Sequence, residues 1–567
     1  MSAKQPDEPN EAVQVFTPLL DPTGVPNLDQ VVGGGIPRGS LVIIVGPPGS
    51  GKTTLANQMA FAAARNRRRS IVLTALSEPT SKLIAHLSSF SFYDDELVGD
   101  EIQFLSLQQF LNGGLEATGD EMVAAARRGH AGFVVLDGFR GVRGADVDPQ
   151  SARQFLYDIG TTLSVLGTTT VITSEADPRD PAFFPEATTG DVILGLRYDL
   201  VGVRQWRGIE AIKVRGGAPL SGVHGLALGE DGATIYPRIE SRVAAAAHGT
   251  RVGELAQSDT ADDLLQARGE LDGRAQFDIP DLDALLGGGL TRGTSTLLVG
   301  SLGTGKTLLG LHFAVAGARA GEPTLFLGFR ESQRQLLLKA EPFAMEADLR
   351  AAAASNGALT LMRWSPVELN PDILAEQFLI TLDKIKARRL VVDSAAELER
   401  AINDGGDPRR VDNYLAALVE ALRMRGITAL FTREIPQTSA PELSFATNPI
   451  SVMAENVLLL RQIERDNRLT RLLSVIKMRF SAHDVSTVRE FVVAPPKGIS
   501  LMSPSENGGR TQKGVDVSDV GERDTLGTDL AETRAQERLQ RRSSRDGRTA
   551  GDRIEHANSD DTPEGTP

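Results

Sequence analysis

The sequence predicts an α/β protein with two domains in tandem, each built on a mostly parallel β-sheet with helices on both faces. Three observations predict this fold. The pattern Gly-x-x-x-x-Gly-Lys-Thr occurs at 46–53 and recurs 254 residues later at 300–307. A Gly-Gly-Gly segment precedes each copy at that same spacing. Short apolar runs alternate with amphipathic helical stretches around both copies, which is typical of a parallel sheet covered on two sides.

The strand candidates follow the same order in both copies. In the first they lie at 41–45, 70–76, 133–137, 169–175 and 211–215. In the second they lie at 295–300, 323–329, 390–393, 428–434 and 472–479. Each is short, apolar and rich in β-branched residues, and helical patterns such as 53–66 and 151–167 separate them. In such a sheet, ligands bind beyond the carboxyl ends of the strands.

Composition narrows the possible functions. Cysteine is absent and only 7 residues are histidine, so disulfides and cysteine zinc sites are excluded. The formal net charge is −14, which repels phosphate backbones and makes nucleic acid an unexpected partner. No apolar run approaches the ~18 residues of a membrane span, and the acidic N-terminal segment does not resemble a secretory signal. We therefore expect a cytoplasmic protein without a membrane partner.

The domain bounds follow from changes in composition. We predict a loose tail at 1–13, a first domain at 14–240, a linker at 241–276, a second domain at 277–502 and a disordered charged tail at 503–567. The linker is rich in small and charged residues, part of which we expect to be helical. The final tail has few aliphatic residues, too few to offset the entropy of ordering.

The repeated glycine motif predicts two phosphate-binding loops for ATP. Each copy follows a predicted strand and opens a predicted helix, where backbone N–H groups and the helix dipole favour an anion. We expect Lys52 and Lys306 to contact the β- and γ-phosphates, and the Thr53 and Thr307 hydroxyls to ligate Mg²⁺. The predicted nucleotide-binding residues are Gly46, Gly49, Ser50, Gly51, Lys52, Thr53, Thr54, Gly300, Gly303, Thr304, Gly305, Lys306, Thr307 and Leu308.

Carboxylates at the ends of other strands complete each predicted site. Asp137 and Asp393 end apolar strands about 85 residues after each lysine, where a carboxylate can hold Mg²⁺ and its water. Glu78 and Glu331 follow the second strand of each copy. We predict that they activate the attacking water, although a helix cap or a surface charge is the ordinary use of such a glutamate.

With these motifs in view, residues 14–500 resemble KaiC-type ATPases of the RecA superfamily. The resemblance also includes Lys-x-Arg at Lys213 and Arg215 and at Lys477 and Arg479. It implies two RecA-like domains and a homo-hexameric ring with ATP between protomers. It further implies that these four cations reach the neighbour's nucleotide, and that nucleotide state gates protein partners. The alternative for the four cations is a basic pair on a solvated strand.

The chain departs from the family pattern in three places. Ser77 and Arg330 occupy the first position of a frequent Glu-Glu pair, which predicts slow hydrolysis. We expect Arg330 to keep the neighbouring Glu331 ionised. Where the clock members of the family carry adjacent Ser and Thr phosphoacceptors, this chain has Ser451 followed by Val452. Autokinase activity is therefore restricted to one predicted acceptor, Ser451, or is absent.

Two other functions remain open at this point. The same fold serves DNA-dependent recombinases and helicases, but few aromatic residues and a negative net charge disfavour that function. A nucleotide-gated scaffold without catalysis is favoured by the missing first glutamate at both sites.

Overall fold

Both halves of the chain fold around a nine-stranded mixed sheet. The computed structural model describes residues 19–74, 80–107, 114–143, 148–177, 188–201, 203–249, 273–404, 409–435, 454–465, 467–480, 488–496 and 498–502. These belong to one unit of contacts that spans Met1–Pro504. We call 19–249 the first half and 273–502 the second half.

The strands of the first half form a small hairpin and the large sheet. The hairpin pairs β1 (Leu20–Asp21) with β2 (Ile36–Pro37). The large sheet consists of β3 (Leu41–Val45), β4 (Ser70–Thr74), β5 (Ile102–Ser106), β6 (Phe133–Asp137), β7 (Thr169–Ser174), β8 (Val192–Val201), β9 (Arg204–Val214), β10 (His224–Gly229) and β11 (Gly232–Tyr236). Its spatial order is β11-β10-β9-β8-β3-β7-β6-β4-β5.

The strands of the second half repeat this plan. They are β12 (Arg274–Ala275), β13 (Leu290–Thr291), β14 (Ser295–Gly300), β15 (Thr324–Gly328), β16 (Leu359–Arg363), β17 (Arg389–Asp393), β18 (Thr428–Glu434), β19 (Asn456–Arg465), β20 (Arg468–Met478), β21 (Val488–Ala494) and β22 (Gly498–Met502). The large sheet runs β16-β15-β17-β18-β14-β19-β20-β21-β22.

The helices occupy both faces of each sheet. In the first half they are α1 (Leu28–Val32), α2 (Lys52–Arg65), α3 (Thr80–Leu87), α4 (Gly114–Arg128), α5 (Phe139–Arg143), α6 (Pro149–Val165) and α7 (Ile239–Gly249). In the second they are α8 (Pro280–Leu285), α9 (Lys306–Arg319), α10 (Gln333–Ala340), α11 (Glu346–Ala352), α12 (Pro371–Ile385), α13 (Ala395–Asp404) and α14 (Arg410–Arg423). Short 3₁₀ turns occur at Asp95–Leu97 and Glu341–Phe343.

The predicted fold class is confirmed. In the first half β5, β4, β6, β7, β3 and β8 pair in parallel, and β9 to β11 continue the sheet antiparallel. The second half has the same division. Strand β9 contains 211–214 of the segment predicted as a strand at 211–215, and β20 contains 472–478 of the one predicted at 472–479. Both strands run antiparallel to their neighbours.

Each sheet has an apolar core on both faces, and in the first half the central strand β3 is apolar throughout. Val42 and Ile44 of β3 belong to the core beneath α1 to α3, whereas Leu41, Ile43 and Val45 belong to the core beneath α4 to α6. Successive side chains of a strand point to opposite faces. This five-residue run therefore joins the two layers of helices and fixes where the loop after it emerges.

A triple-glycine turn connects α1 to the small hairpin in the first half, and the second half repeats it. Gly35 has φ +136° and Gly289 has φ +120°. A Cβ on Gly35 would lie 2.8 Å from the carbonyl oxygen of Asp21, and one on Gly289 would lie 2.6 Å from that of Ala275. Only glycine combines that backbone angle with so close an approach.

Helix α7 connects the two halves. It begins at Ile239 and continues through the start of the segment predicted as linker. Ile239 is fully buried within the core of the second half. The guanidinium of Arg410 at the start of α14 donates to Glu240 at 2.6 and 3.0 Å and also contacts Asp372 of α12. The domain bounds of the sequence analysis stay a prediction, and α7 packs on the second half.

The described helices include none that is both long and apolar enough to cross a membrane.

Candidate nucleotide sites

The two phosphate-binding loops have the same geometry. Lys52 Nζ donates to the carbonyl oxygens of Gly46 at 2.9 Å and Pro47 at 3.0 Å. Lys306 Nζ donates to those of Gly300 at 2.9 Å and Ser301 at 2.7 Å. Each ammonium group therefore lies over its own loop at the carboxyl end of the central strand, where a phosphate would exchange with the carbonyl oxygens.

Glycine residues let each loop turn into its helix. Gly51 precedes α2 with φ +102° and Gly305 precedes α9 with φ +100°. A Cβ on Gly51 would lie 2.9 Å from the Leu228 side chain, and one on Gly305 would lie 3.2 Å from the Phe491 ring. The first N–H groups of each helix have no partner within the helix, so they and the dipole form a site for an anion.

A threonine and an aspartate meet beside each lysine. Thr53 Oγ1 donates to Asp137 Oδ1 over 3.2 Å, and Thr307 Oγ1 donates to Asp393 Oδ2 over 2.8 Å. A second threonine donates to the same carboxylate in each half: Thr173 over 2.5 Å in the first, and Thr432 in the second. The predicted lysine, threonine and aspartate of each site are therefore brought together.

Burial shapes the electrostatics of both sites. It lowers the pKa of Lys52 below its ordinary value, an effect that the charges of Glu175 and Asp137 oppose. It likewise lowers the pKa of Lys306, against the charges of Glu434 and Asp393. Each ammonium group is thus partly desolvated, and a desolvated cation interacts more strongly with phosphate.

Four functional residues escaped the sequence analysis. Thr173 lies near the end of β7 and Glu175 follows that strand directly, and Thr432 and Glu434 lie at the end of β18. The signal was present, because Thr-x-Glu closes the fourth strand of both copies at 173–175 and 432–434. The threonines hold the aspartates, and the glutamates supply negative charge near each lysine.

A cavity of about 460 Å³ opens beside the second loop. Its lining includes Lys306, Thr307, Asp393, Glu331 and Lys339. The predicted water-activating glutamate therefore lies in the same cavity as the loop lysine. Polar groups that converge on one cavity are typical of a ligand site.

The expected partner of Glu331 is wrong. The Arg330 guanidinium donates to Glu397 on α13 at 2.7 Å, and the cation on Glu331 is Lys339 from α10. Arg330 therefore has an acceptor other than its neighbour, and the lysine eight positions after Glu331 takes the place that the sequence analysis gave to Arg330.

The donor sets fit Mg²⁺. Hydroxyl and carboxylate oxygens are its preferred ligands, and it keeps several waters when it binds few protein groups. The Oδ2 atom of Asp137 is buried and accepts no hydrogen bond from the residues that the structure describes. In the same ranges, His, Asp and Glu nowhere form a cluster of three or more that could hold a metal by itself.

The Lys-x-Arg pairs lie near the amino-terminal ends of the parallel strands, whereas the phosphate-binding loops follow the carboxyl ends. Lys213 pairs with Ile193 of β8, which pairs with Ile43 of β3. Gly46 follows three residues further along that strand, about 10 Å away at ~3.3 Å per residue, and two strand spacings of ~4.8 Å separate them sideways. The second half repeats this register, with Lys477 opposite Val457. Neither pair is brought to the loop of its own half.

Two of these four cations, Arg215 and Lys477, have described partners in their own chain. Arg215 pairs with Asp191 at 2.9 Å and is 66% exposed. Lys477 Nζ donates to the carbonyl oxygen of Ala454 at 2.7 Å, and burial, followed by the charge of Arg479, lowers its pKa. A groove of about 990 Å³ lies beside Arg215, between α6 and the segment at 188–191.

Two predicted residues lie outside the described ranges. Glu78 falls in 75–79 and Ser451 falls in 436–453. Their predicted roles are therefore untested.

Comparison with known proteins identifies the type of domain. A family model described as "ATPase: KaiC" matches residues 21–240 and again 275–506. These two regions coincide with the two halves of the fold and cover most of the chain.

Curated relatives match along nearly their whole length. The circadian clock oscillator protein KaiC 1 of Synechocystis sp. is 24% identical over 506 residues, which are 86% of this chain and 89% of the relative. The circadian clock oscillator protein KaiC of Picosynechococcus sp. is 24% identical, with 83% and 87% covered. That of Thermostichus vulcanus is also 24% identical, with 86% and 89% covered.

Proposed function

The chain belongs to the KaiC family of ATPases, and from that premise we propose that it hydrolyses ATP at the subunit interfaces of a cytoplasmic homo-hexameric ring and uses nucleotide state to gate protein partners. The observation that carries this proposal is the position of the Lys-x-Arg pairs. Each lies near the amino-terminal ends of the parallel strands, away from the phosphate-binding loop of its own half. A site that combines the loop with these cations needs a loop from one protomer and cations from the next.

The groove beside Arg215 supports the same arrangement. It is lined mainly by polar side chains of α6 together with Asp191 and Arg215. If the phosphate-binding loop of a neighbouring protomer docks there, its nucleotide comes close to Arg215. Arg215 is largely exposed to solvent, and its described ion pair is with Asp191 at 2.9 Å. An exposed pair of this kind stabilises the fold by ~1 kcal/mol or less, so its exchange for a phosphate costs little.

Within one site, the chain's own residues have separate tasks. Backbone N–H groups of the loop and the ammonium of Lys52 or Lys306 hold the β- and γ-phosphates. Thr53 with Asp137, and Thr307 with Asp393, would hold Mg²⁺, which when bound neutralises phosphate charge. Glu331, and Glu78 in the first half, orient the water and accept its proton. Arginine from the next protomer stabilises charge that develops on the leaving phosphate.

Mixed rings test the shared site. Lys306→Ala removes a loop cation but keeps Arg479, and Arg479→Ala does the reverse. In a Glu78→Gln background each variant alone should lose about a hundredfold in phosphate release. A mixture of the two should recover part of the activity, because some interfaces combine an intact loop with an intact arginine.

The control is Arg388→Ala, which removes an exposed arginine from the same half. It should assemble and turn over like the parent chain. Full activity of the Arg479→Ala chain by itself contradicts the shared site. So does a chain that is monomeric by intact mass in Mg-ATP and still hydrolyses ATP at the parent rate. The same mass measurement reports whether the chain gains a phosphate, and Ser451→Ala should abolish that gain if Ser451, the predicted acceptor, carries it.

Catalysis is separable from scaffolding by one substitution at each site. Glu78→Gln and Glu331→Gln keep the size of the side chain and remove its basicity. Together they should reduce phosphate release by about a hundredfold or more while nucleotide binding persists. Unchanged turnover supports the non-catalytic scaffold, and stimulation by DNA supports a nucleic-acid motor.

A further inference from the structure

The two carboxylate oxygens of Glu331 have different surroundings. Oε1 accepts a hydrogen bond from the ammonium of Lys339. Oε2 is buried and accepts no hydrogen bond from any residue that the structure describes. A buried carboxylate oxygen without a donor costs free energy, and Glu331 itself lines the 460 Å³ cavity. Oε2 is therefore the atom of this side chain whose lone pairs are left for a donor that enters with the nucleotide.

The start of α10 fixes Glu331 and Lys339 relative to one another. Ser332 caps the helix: its Oγ accepts from the N–H of Gln335, and the Gln335 side chain accepts from the N–H of Ser332 at 2.8 Å. This reciprocal pair fixes the backbone directly after Glu331. The glutamate is therefore held just before the first turn of the helix.

The opposite end of α10 brings Lys339 back to this point. Lys339 and Leu336 are three residues apart, so they share one helix face, and both line the 460 Å³ cavity. Long helical side chains lean toward the N-terminus of their helix. The four-carbon stem of Lys339 therefore runs toward Glu331, and its ammonium meets Oε1.

We propose that Lys339 is a positioning residue for hydrolysis at the second site: it holds Oε1 of Glu331 so that Oε2 receives the proton of the attacking water. This rests on the proposed function, in which Glu331 orients that water. The water oxygen bonds to the γ-phosphorus, the bond to the bridging oxygen breaks, and one water proton passes to Oε2. Lys339 transfers no proton in this step.

The first half has no lysine at the position equivalent to Lys339. Glu78 and Glu331 are 253 residues apart, and the residue at the same distance before Lys339 is His86. His86 is exposed, and its ring contacts Phe90 edge-on at 5.4 Å. The proposal therefore concerns the second site alone, and the first site offers an internal comparison.

The test is a double-mutant cycle in the full chain with Mg-ATP. A Glu78→Gln background silences the first site, and phosphate release and nucleotide binding are then measured for Lys339→Met, Glu331→Gln and both together. Lys339→Met should lower kcat about tenfold with little change in KM, because it loosens the base without touching the nucleotide. Lys339→Arg keeps a donor for Oε1 and should restore most of the rate.

The control for a general loss of charge or solubility is Lys384→Met, an exposed lysine on α12. It should leave kcat unchanged. In the Glu331→Gln chain, adding Lys339→Met should cost no further activity, since the lysine acts through the glutamate.

The outcomes separate the two proposals. If Glu331→Gln leaves turnover unchanged, the proposed role of the glutamate fails. If Glu331→Gln slows turnover but Lys339→Met costs the same factor with and without it, Glu331 keeps its role and the positioning role of Lys339 is wrong. An increase in kcat on Lys339→Met, or a loss confined to KM, also overturns it.

Discussion

The two nucleotide sites share the same arrangement of loop lysine, threonines and aspartate, which we call the cradle. They differ in the contacts that hold those residues in place, which we call the frame. In both halves a lysine donates to two loop carbonyls and two threonines hold one aspartate. Around the second cradle, ion pairs join strand ends to helices: Arg330 with Glu397, Arg433 with Glu399 and Lys339 with Glu331. In the first half, the helix after the aspartate strand stacks Phe139 on Phe155 at 5.8 Å, and a single ion pair of that helix, Arg140 with Glu175 at 3.7 Å, is described there.

The comparison teaches which parts a phosphate constrains. The loop must present N–H groups and an ammonium at fixed places, so its residues recur at one spacing. The frame must only hold the cradle in place, and either stacked rings or ion pairs can do so. We therefore expect equal nucleotide binding but unequal sensitivity of the two halves to charge and pH.

The largest effect should come from the ion pairs of Arg410, which join helix α7 to the second half. Arg410→Met leaves Asp372, which is 1% exposed, and Glu240 without their shared cation. Burial raises the pKa of Glu240, but hydrogen bonds and charge from Arg410 outweigh it and lower that pKa below its ordinary value. Removing one partner of a buried ion pair costs ~3–5 kcal/mol, measurable as a shift in the urea midpoint.

Arg425→Met is the matched control for that variant. Arg425 pairs with Asp383 at 2.7 Å, but the aspartate is 57% exposed, so the loss should stay below ~1 kcal/mol. Equal losses for the two arginines would show that the contact between the halves contributes no more than a surface pair.

The next effect tests whether the two cradles bind independently. Lys52→Ala and Lys306→Ala each remove the cation expected to contact phosphate, and a hydrogen bond to a charged group is worth ~1.5–3 kcal/mol. Each should weaken its own site by roughly ten- to a hundredfold and reduce bound nucleotide from two per chain to one. Titration with a fluorescent ATP analogue measures both. If either variant empties both sites, the cradles are coupled.

A smaller effect should distinguish the halves by pH. Gln58 of α2 bonds Ala233 at both ends of its amide, at 2.8 and 3.2 Å. Its counterpart 254 residues later is His312, whose Nε2 is buried without a partner among the described residues. Burial lowers the pKa of His312 to about 4.

The sign of that effect follows from linkage. His312 stays neutral in the folded chain and becomes protonated in the unfolded chain below pH ~6.5. Its contribution to stability is complete above that pH and is lost as the pH falls from 6.5 through 4, about 2 kcal/mol of it by pH 5. His312→Gln should therefore unfold less readily than the parent at pH 5 and about equally at pH 7.5. An equal urea midpoint at pH 5 would contradict this assignment.

The smallest effect concerns the residue that replaces a family glutamate. Arg330→Ser gives the second site the residue that the first has at Ser77. Arg330 is 62% exposed, and its buried partner Glu397 keeps a second cation, Arg400, at 2.8 Å. The free energy of unfolding should therefore change by only about 1 kcal/mol. Turnover should change less than twofold. A large fall in phosphate release would mean that Arg330 contacts the nucleotide.

The sequence was sufficient for the features that recur locally. The loops, the aspartates at 137 and 393 and the parallel strands all follow from short patterns repeated at a nearly fixed spacing. Their geometry is set by neighbours in sequence, and duplication makes each pattern twice as informative. The predicted Lys52, Thr53 and Asp137 therefore meet as expected.

The rest depends on partners distant in sequence. Glu397 lies 67 residues after Arg330, and no local pattern joins them. Strands β8 and β9 carry charged residues that pair across the strands, with Arg197 and Glu210 at 2.6 Å, and these charges obscure the alternation of apolar and polar residues. The alanine-rich start of α7 resembles a linker in composition, and only packing on the second half distinguishes it.

Helix α7 has a further consequence for how such a chain can evolve. A gene duplication that joins two copies end to end yields modules that can later be separated or exchanged. Here the last helix of the first copy contributes Ile239 to the interior of the second, so recombination at the sequence repeat would expose an apolar surface and leave Arg410 with half of its acceptors. Selection for a stable fold therefore keeps the two copies in one chain, and each copy can diverge only while the other is present.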